Sequence, residues 1–171
     1  MLNQKTQDAF NKQLNAELFS SYLYVSMSAY FASKNLKGMA NWMRIQATEE
    51  MQHAMKFYDF INERGGRVLL TQVGGPKTDW DSPLAVFEDA YKHERKVTGL
   101  IHELVDLAIA EKDHAANAFL QWFVTEQVEE EASAEEVVDK LKLAGDNASV
   151  LFMIDQELGQ RVLTPAATET A

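Results

Sequence analysis

The chain has 171 residues, of which 46% are hydrophobic, so a single domain over residues 1–171 can bury its own core without cross-links. Because cysteine is absent, thiolate metal sites, disulfides and cysteine nucleophiles are excluded. The net charge of −10 argues against nucleic-acid binding, which needs clustered positive charge, and favours cations as partners, although acidity by itself also serves solubility.

Two long helices are predicted in the first part of the chain. The N-terminal segment lacks the apolar stretch of a signal peptide, and no run of about 18 apolar residues occurs, so we expect a cytoplasmic protein with no membrane contact. Apolar residues recur at helical spacing over residues 4–33 and 36–64, with Lys34-Asn35 between them. Gly65-Gly66 then ends the second helix, which completes a helical hairpin.

A long crossover separates this hairpin from the second half of the chain. Residues 65–82 contain four of the eight glycines and an extended VLLTQV segment, which predicts a connection rather than a turn. Because this stretch is long enough to span a bundle, we expect helices 2 and 3 to run parallel. Ser82 followed by Pro83 is an N-cap and first-turn signal for the third helix, which should end near residue 111.

The last part of the chain is predicted to complete a second hairpin and to add a shorter helix. Lys112-Asp113 leads into a fourth helix over residues 114–143, and a fifth follows over residues 147–162. Residues 163–171 are expected to form a flexible tail. The predicted fold class is all-α, a four-helix bundle with one long crossover between helices 2 and 3 and a short fifth helix at the C-terminus.

Each of the four long helices carries a glutamate in the middle of its apolar stripe. These residues are Glu17, Glu50, Glu94 and Glu130. His53 follows Glu50 by three residues and Gln127 precedes Glu130 by three, so each pair shares one helix face. A single glutamate in such a stripe would normally reach solvent at its edge, and His53 alone would be interpreted as structural. Four glutamates at matching depth instead predict a buried polar layer.

This polar layer has the composition of a dinuclear metal site. Four ionised carboxylates in a low-dielectric interior repel one another, and two divalent ions would balance their charge. Oxygen ligands with a single imidazole favour Fe(II) or Mn(II) over a tetrahedral structural zinc. Tyr24, two turns from Glu17 on the same stripe, is either a hydrogen-bond or one-electron donor beside the metals or a core tyrosine. The remaining histidines, His93, His102 and His114, are expected to be solvated or at helix ends.

An acidic run on the fourth helix suggests a third metal ion. Glu126, Glu129 and Glu130 share one helix face, and Glu49 on the second helix is placed to converge with them. The alternative is a solvated acidic face that binds no metal. Spacing alone leaves both interpretations open.

With these residues in place, the sequence resembles the ferritin family, and within it the haem-free bacterial and archaeal branch. The motifs that carry the resemblance are Glu17, EEMQH with Glu50 and His53, YKHERK with Glu94, and EQVEEE with Gln127 and Glu130. Proteins of the wider di-iron class place Glu on two helices and Glu-x-x-His on the other two. Here Gln127-x-x-Glu130 replaces the second pair, which is similar to ferritins and differs from bacterioferritins, so no haem is expected.

The resemblance implies a ferritin-like four-helix bundle that stores iron and has ferroxidase activity. Such a protein oxidises Fe(II) with O2 or hydrogen peroxide at a di-iron centre and keeps ferric mineral inside a hollow shell. The fifth helix of the family supports a shell of 24 subunits. Self-association is therefore the expected partnership.

The ligand pattern of the family can be placed on this sequence residue by residue. One iron would be held by Glu17, Glu50 and His53, with Glu50 as the bridge. The second iron would be completed by Glu94 and Glu130, with Gln127 in the adjoining shell. The third iron site of the bacterial branch is matched by Glu49, Glu126, Glu129 and Glu130.

Two other functions are compatible with parts of this pattern. One is a di-iron oxidase or peroxidase of the rubrerythrin-like or bacterioferritin-like class, which would not store iron in bulk. The chain lacks the Cys-x-x-Cys iron domain of rubrerythrin-like proteins. The other is a metal-free helical assembly in which the polar layer only sets the helix register. Buried glutamates would then need basic partners, and the apolar stripes offer none.

Overall fold

The computed structural model describes residues 2–163, which form five helices and contain no strand. The helices are α1 (Gln4–Ser33), α2 (Lys37–Glu63), α3 (Pro83–Ala110), α4 (His114–Ala144) and α5 (Ala148–Leu158). The predicted all-α fold, with four long helices and a short fifth one, is confirmed. Within the described range, no helix combines the length and the apolar character that crossing a membrane requires.

The fifth helix is shorter than the sequence predicts. It ends at Leu158, four residues before the predicted end at residue 162. The chain then turns tightly, because the backbone N–H groups that follow bond to carbonyls three or four residues earlier. This turn brings Arg161 back against α2. The predicted flexible tail over residues 163–171 lies, beyond Leu163, outside the described residues.

Side chains cap the N-termini of four of the five helices. The caps are Asn3, Ser82, Asp113 and Asn147, each of which accepts a hydrogen bond from a backbone N–H of the first turn. Caps of this kind satisfy N–H groups that lack a helical partner and contribute about 1 kcal/mol each. The start of α2 differs, because Leu36 cannot cap it and Asp155 of α5 accepts from the Met39 N–H at 2.9 Å instead.

A close backbone contact also fixes α5 against the start of α2. A Cβ atom at Gly38 would lie 1.6 Å from the carbonyl oxygen of Asp155, so only glycine permits this approach. Ile154 and Leu158 flank the contact and are buried in the same apolar cluster as the start of α2. The position of α5 is therefore set by one glycine, one buried aspartate and a small apolar face.

Three amide side chains of α1 bind the extended first part of the crossover. They belong to Gln7, Asn11 and Asn15 and are called the amide ladder. Backbone N–H groups donate to them in the pairs Arg67 to Gln7 at 2.9 Å, Leu69 to Asn11 at 2.7 Å and Thr71 to Asn15 at 2.8 Å. Asn11 and Asn15 in turn donate to the carbonyls of Arg67 and Leu69, both at 2.9 Å. Every fourth residue of a helix advances by about 6 Å, close to the two-residue repeat of an extended chain. The helix therefore replaces a neighbouring strand as the hydrogen-bond partner.

The crossover follows α1 along the length of the bundle. Arg67 lies beside the start of α1, whereas the Lys77 carbonyl accepts from the Ser26 hydroxyl at 2.7 Å, farther along the helix. Trp80 then packs on Tyr30, with 5.4 Å between the ring centroids. The chain thus returns to the end at which α2 begins, and α2 and α3 run parallel as predicted.

Asn11→Ala is expected to free the crossover locally, because it leaves the Leu69 N–H and the Arg67 carbonyl without these partners. Amide hydrogen exchange of the peptide containing Leu69 should become about tenfold faster or more, since lost bonds of this kind cost about 1–3 kcal/mol. Asn62→Ala is the matched control, because the Asn62 side chain bonds to the Tyr58 carbonyl within its own helix. Equal exchange rates in the two variants would contradict a structural role for the amide ladder.

Apolar side chains fill the bundle on both sides of a central region. One cluster includes Tyr24, Phe31, Met43 and Phe87, and the other includes Phe10, Phe57, Ile101 and Phe123. Between the two clusters, each long helix contributes a buried glutamate instead of an apolar residue. This interruption of the core is the place where a functional site can be sought.

Candidate metal centre

The polar layer predicted from the sequence lies between the two apolar clusters. Its six members, each at most 5% exposed, are Glu17, Glu50, His53, Glu94, Gln127 and Glu130. They come from all four long helices, so the layer joins the α1–α2 hairpin to the α3–α4 hairpin. The predicted burial of these polar residues is observed.

Glu17, Glu50 and His53 form the first group of converging ligand atoms. One atom from each lies within 4.8 Å of the others, and His53 Nδ1 is 3.7 Å from Glu50 Oε2. With both carboxylates ionised, Oε2 of Glu17 and Oε2 of Glu50 are buried without a hydrogen-bond partner among the described residues. An unpaired buried carboxylate oxygen is costly, so this donor set fits a bound cation.

Glu94 is oriented by hydrogen bonds to both of its carboxylate oxygens. The hydroxyl of Tyr24, which is fully buried, donates to Oε1. Gln127 donates from Nε2 to Oε2 of Glu94 at 3.2 Å and to the Glu94 carbonyl at 3.3 Å. Tyr24 and Gln127 therefore fix the direction in which Glu94 faces the layer. The bond from Tyr24 fits both alternatives that the sequence leaves open, a donor beside metal ions and a core tyrosine with a bonded hydroxyl.

Two buried glutamines that the sequence analysis missed support the layer from outside. Gln13 donates to Glu17 Oε1 at 2.8 Å, and Gln46 donates to Glu130 Oε2 at 2.5 Å. Gln13 precedes Glu17 by four residues and Gln46 precedes Glu50 by four, so each lies on the metal-facing side of its helix. That spacing is the signal by which they could have been found.

A second group of ligand atoms adjoins the layer. One atom each from His53, Glu126 and Glu130 lies within 4.8 Å of the others. Glu126 is partly buried, whereas Glu129 is exposed and belongs to neither group. Glu49 is also partly buried, and its Oε2 accepts a hydrogen bond from Arg161 at 2.6 Å. Glu126 thus lies close to Glu130 in the structure, whereas the carboxylate of Glu49 is paired with Arg161.

Burial controls the protonation of the layer. Desolvation raises the pKa of Glu17 and of Glu50 well above the usual glutamate value, and neighbouring carboxylates add to the effect. Desolvation also raises the pKa of Glu94 to about 7 and that of Glu130 to about 8. The metal-free layer therefore holds protons near neutral pH, and a divalent ion bound there would displace them.

The metal-free protein is expected to lose stability as the pH rises from about 5 to about 8. Its layer carboxyls bind protons more tightly in the folded than in the unfolded chain, so their contribution is lost as the pH passes the folded pKa values of about 7 for Glu94 and about 8 for Glu130. Calorimetry of chelator-treated protein should show an unfolding temperature that falls over this range.

The matched variant for this pH experiment is the double substitution Glu94→Gln with Glu130→Gln. It retains the other titrating groups, so subtracting its pH profile isolates the contribution of the two carboxyls. The unfolding temperature of the double variant, relative to that of the unsubstituted chain, should increase with pH. A difference that is flat, or that grows in favour of the unsubstituted chain, would contradict the raised pKa values.

One histidine outside the layer does not match its prediction. His93 is partly buried in the middle of α3, where its Nε2 lies 2.8 Å from the Ser20 hydroxyl. Burial lowers the pKa of His93 to about 4, so the ring is neutral at physiological pH. It is neither solvated nor at a helix end, because its position faces α1 rather than solvent. His102 and His114 are exposed, as predicted.

Both the sequence and the fold match known proteins. A family profile described as Ferritin-like domain matches residues 7–144. The chain is 49% identical over 161 residues to a bacterial non-heme ferritin of Bacteroides fragilis, covering 94% of this chain and 100% of that protein. A bacterial non-heme ferritin of Staphylococcus saprophyticus is 42% identical over 161 residues, covering 94% of this chain and 96% of that one.

Solved structures give the same result. A novel open pore ferritin from the hyperthermophilic archaeon Archaeoglobus fulgidus superposes with a TM-score of 0.94 at 54% identity, covering 95% of this chain and 100% of that one. A closed form engineered from the Archaeoglobus fulgidus ferritin superposes with a TM-score of 0.95 at 55% identity, covering 96% of this chain and 100% of that one. The likeness extends over nearly the whole described chain.

Proposed function

Because the chain belongs to the ferritin family, we propose that it is an iron-storage protein with ferroxidase activity. It oxidises Fe(II) to Fe(III) with O2 or hydrogen peroxide and deposits ferric mineral inside a hollow shell. The observation that carries this proposal is the buried group of Glu17, Glu50 and His53, in which two carboxylate oxygens, when ionised, have no hydrogen-bond partner among residues 2–163. The cytoplasm is the proposed location, since Fe(II) persists in a reducing compartment.

The proposed ligands divide between two adjacent iron ions, which are the substrate. Glu17, Glu50 and His53 bind the first ion, and Glu50 bridges to the second. Glu94 and Glu130 complete the second ion, while Gln127 and Tyr24 orient Glu94 through their hydrogen bonds. Tyr24 is also proposed as a one-electron donor beside the metals. No haem takes part in this chemistry.

The layer supplies charge balance for the reaction, and the protons that the oxidant takes up come from the surrounding water. Two Fe(II) ions lose one electron each, and the pair of electrons with two protons converts O2 to hydrogen peroxide, or hydrogen peroxide to two water molecules. The carboxyls release their protons as Fe(II) binds, because their pKa values are raised only while the layer lacks metal. The resulting carboxylates then stabilise the higher charge of Fe(III).

A third iron site is proposed beside the dinuclear centre, with Glu49, Glu126, Glu129 and Glu130 as its ligands. The proximity of Glu126 and Glu130 supports it. Shared use of Glu130 would connect this site to the dinuclear centre and would give oxidised iron a route out of the layer. Glu129 is exposed and lies in neither group of converging ligand atoms, so its part in the third site is proposed from the family pattern alone.

Self-association into a shell of 24 subunits is proposed as well. Large apolar side chains remain exposed on α1 at Tyr22 and Val25 and on α5 at Phe152 and Met153. Contacts between subunits would remove such side chains from water, which is the usual driving force for assembly. Side chains fill the interior of the bundle formed by residues 2–163, so storage of mineral would require an assembly.

A metal-free role for the polar layer is not supported by its surroundings. Within residues 2–163, no lysine or arginine pairs with Glu17, Glu50, Glu94 or Glu130. In a layer that only set the helix register, the buried carboxyls could avoid unbalanced charge only by staying protonated, because no basic side chain is there to pair with their ionised forms. Metal ions would let all four carboxyls ionise.

Aerobic loading with Fe(II), followed by gel filtration, tests the proposed function. Iron and protein are assayed together in the eluted peak of the assembled protein. Hundreds of iron atoms per assembly are expected for a storage protein. About two or three per chain would leave only the metal sites and would favour the di-iron oxidase or peroxidase alternative.

A further inference from the structure

The segment that follows α5 places a positive charge at the edge of the proposed third iron site. Arg161 donates from Nη2 to Glu49 Oε2 at 2.6 Å and from Nη1 to Gln46 Oε1 at 2.9 Å. Its guanidinium carbon lies 4.4 Å from the ring centroid of Trp42. Because the Arg161 side chain is only 21% exposed, this arrangement is part of the packed fold rather than a loose surface ion pair.

We propose that Arg161 is the resident cation of the third site, which holds Glu49 while the site lacks metal and must release it before a third ion binds. The proposal rests on the proposed function, since it concerns the order in which the same carboxylates take up iron. It assigns to Arg161 the role of setting the affinity of the third site relative to the dinuclear centre.

The first argument is that the arginine and a metal ion compete for the same carboxylate. A divalent ion binds carboxylate oxygen at about 2.0–2.5 Å, so an ion in front of Glu49 Oε2 would occupy the space of the guanidinium. An ion on the other oxygen of Glu49 would still face the guanidinium across one carboxylate, and like charges at such a distance repel. Binding of metal by Glu49 Oε2 therefore requires Arg161 to move, and binding by the other oxygen is weakened while Arg161 stays.

The second argument is the contrast between the two sites. In the dinuclear centre, no lysine or arginine within residues 2–163 is bonded to Glu17 or Glu50. At the third site, Oε2 of Glu49 already has a charge-assisted hydrogen bond, a kind that is stronger than a neutral one. The dinuclear centre is thus open to the first ions, whereas the third site starts with an internal occupant. Iron is expected to fill the centre first.

The surroundings allow the Arg161 side chain to leave without loss of the fold. The Arg161 carbonyl accepts from Asn41 Nδ2 at 3.1 Å, which anchors the backbone independently of the guanidinium. A groove of about 390 Å³ beside it is lined by Ser133, Glu136 and Glu157, among others. A displaced guanidinium therefore finds space within the same groove, where Glu136 and Glu157 both accept from Lys140 at 2.6 Å.

A relay connects Arg161 to the dinuclear centre. Because Gln46 Oε1 accepts from Arg161, the amide nitrogen of Gln46 is turned toward Glu130, to which it donates. Glu130 belongs both to the polar layer and to the group with Glu126. Release of Arg161 thus frees Glu49 and, at the same time, loosens the amide that orients the shared ligand.

The test is a Co(II) binding isotherm, measured by equilibrium dialysis on the assembled protein. Co(II) accepts oxygen and imidazole ligands and reports binding without iron oxidation. The unsubstituted chain is expected to bind two ions tightly and a third weakly. Arg161→Met should strengthen the third event about tenfold, which is about 1.4 kcal/mol, and leave the two tight events in place.

Three further variants make the outcome specific. Arg44→Met removes the same charge from an exposed position of α2 and should match the unsubstituted isotherm. Glu49→Gln combined with Arg161→Met should abolish the gain, because the freed ligand is then neutral. Arg161→Lys keeps the charge but loses the two-pronged contact, and it should give a smaller gain than methionine. It also decides the question if the methionine variant fails to assemble.

The outcomes separate this proposal from the proposed function. A third event that is unchanged or weaker in both Arg161 variants would overturn the competition and would make Arg161 a support of the site. Loss of the two tight events in the unsubstituted chain would instead overturn the dinuclear centre. A gain in Arg44→Met equal to that in Arg161→Met would reduce the effect to net charge and would also overturn the proposal.

Discussion

Glu50→Gln is expected to lower the initial rate of Fe(II) oxidation by at least about 100-fold. Even groups that only orient metal ligands commonly contribute about 10- to 100-fold, and Glu50 is proposed to contact both ions directly. The substitution keeps the size of the side chain but removes one of four negative charges, so the remaining layer no longer balances two divalent ions. Stopped-flow absorbance of ferric products after mixing two Fe(II) per chain with aerated buffer measures this rate.

Glu103→Gln is the matched control for this experiment, since Glu103 is an exposed glutamate of α3. It should oxidise Fe(II) at the unsubstituted rate. Circular dichroism and light scattering on both variants check that folding and assembly are unchanged. A Glu50→Gln rate within a few-fold of the control would remove the polar layer from the reaction and would require another site for oxidation.

Gly38→Ala is expected to dislodge α5 from the bundle. The added Cβ would lie 1.6 Å from the Asp155 carbonyl oxygen and 2.6 Å from its carbonyl carbon, so the α5 backbone must move. That movement breaks the Asp155 cap on the Met39 N–H and exposes Ile154 and Leu158. Loss of a cap and forced displacement of packed backbone together cost about 2–5 kcal/mol.

The measurements for Gly38→Ala are the unfolding temperature, hydrogen exchange of α5 and particle size. Gly99→Ala is the control, because Gly99 is an exposed position of α3 with nothing within 4 Å of an added Cβ. There, alanine should stabilise the helix by about 0.5–1 kcal/mol. The two glycine substitutions are thus expected to change the free energy of unfolding in opposite directions. Unchanged exchange of α5 in Gly38→Ala would show that the contact tolerates a side chain.

Helix positions were predictable because the local signals for them are strong. Ser82-Pro83 and Gly65-Gly66 mark ends that lie within a residue or two of those observed. The end of α5 at Leu158 was placed four residues too late, although Gly159, the C-cap of α5, is a local signal for a helix end. The contacts of Arg161 with α2, which hold the turn after this glycine, could not be predicted from the helical pattern.

The polar layer was also predictable, and for a specific reason. A glutamate in an apolar stripe violates the pattern around it, so four such violations at one depth stand out. Gln13 and Gln46 do not stand out in this way, since an uncharged amide near a stripe edge is ordinary. The bond between Arg161 and Glu49 joins residues 112 positions apart, and no periodicity connects them. His93 was misassigned for the same reason, because its partner Ser20 lies on another helix.

The crossover has one part in which the amide ladder permits no insertion and a second part in which residues can be inserted. Alternate residues from Arg67 to Thr71 turn their N–H groups toward α1. One inserted residue there would turn the following N–H groups away from α1 and break each hydrogen bond after the insertion. At Gly74 and Gly75 the chain is exposed, and a side chain would meet nothing within 4 Å. A foreign peptide can therefore be carried at the Gly74-Gly75 step with the bundle intact, which makes this step an attachment point for engineered cargo or epitopes.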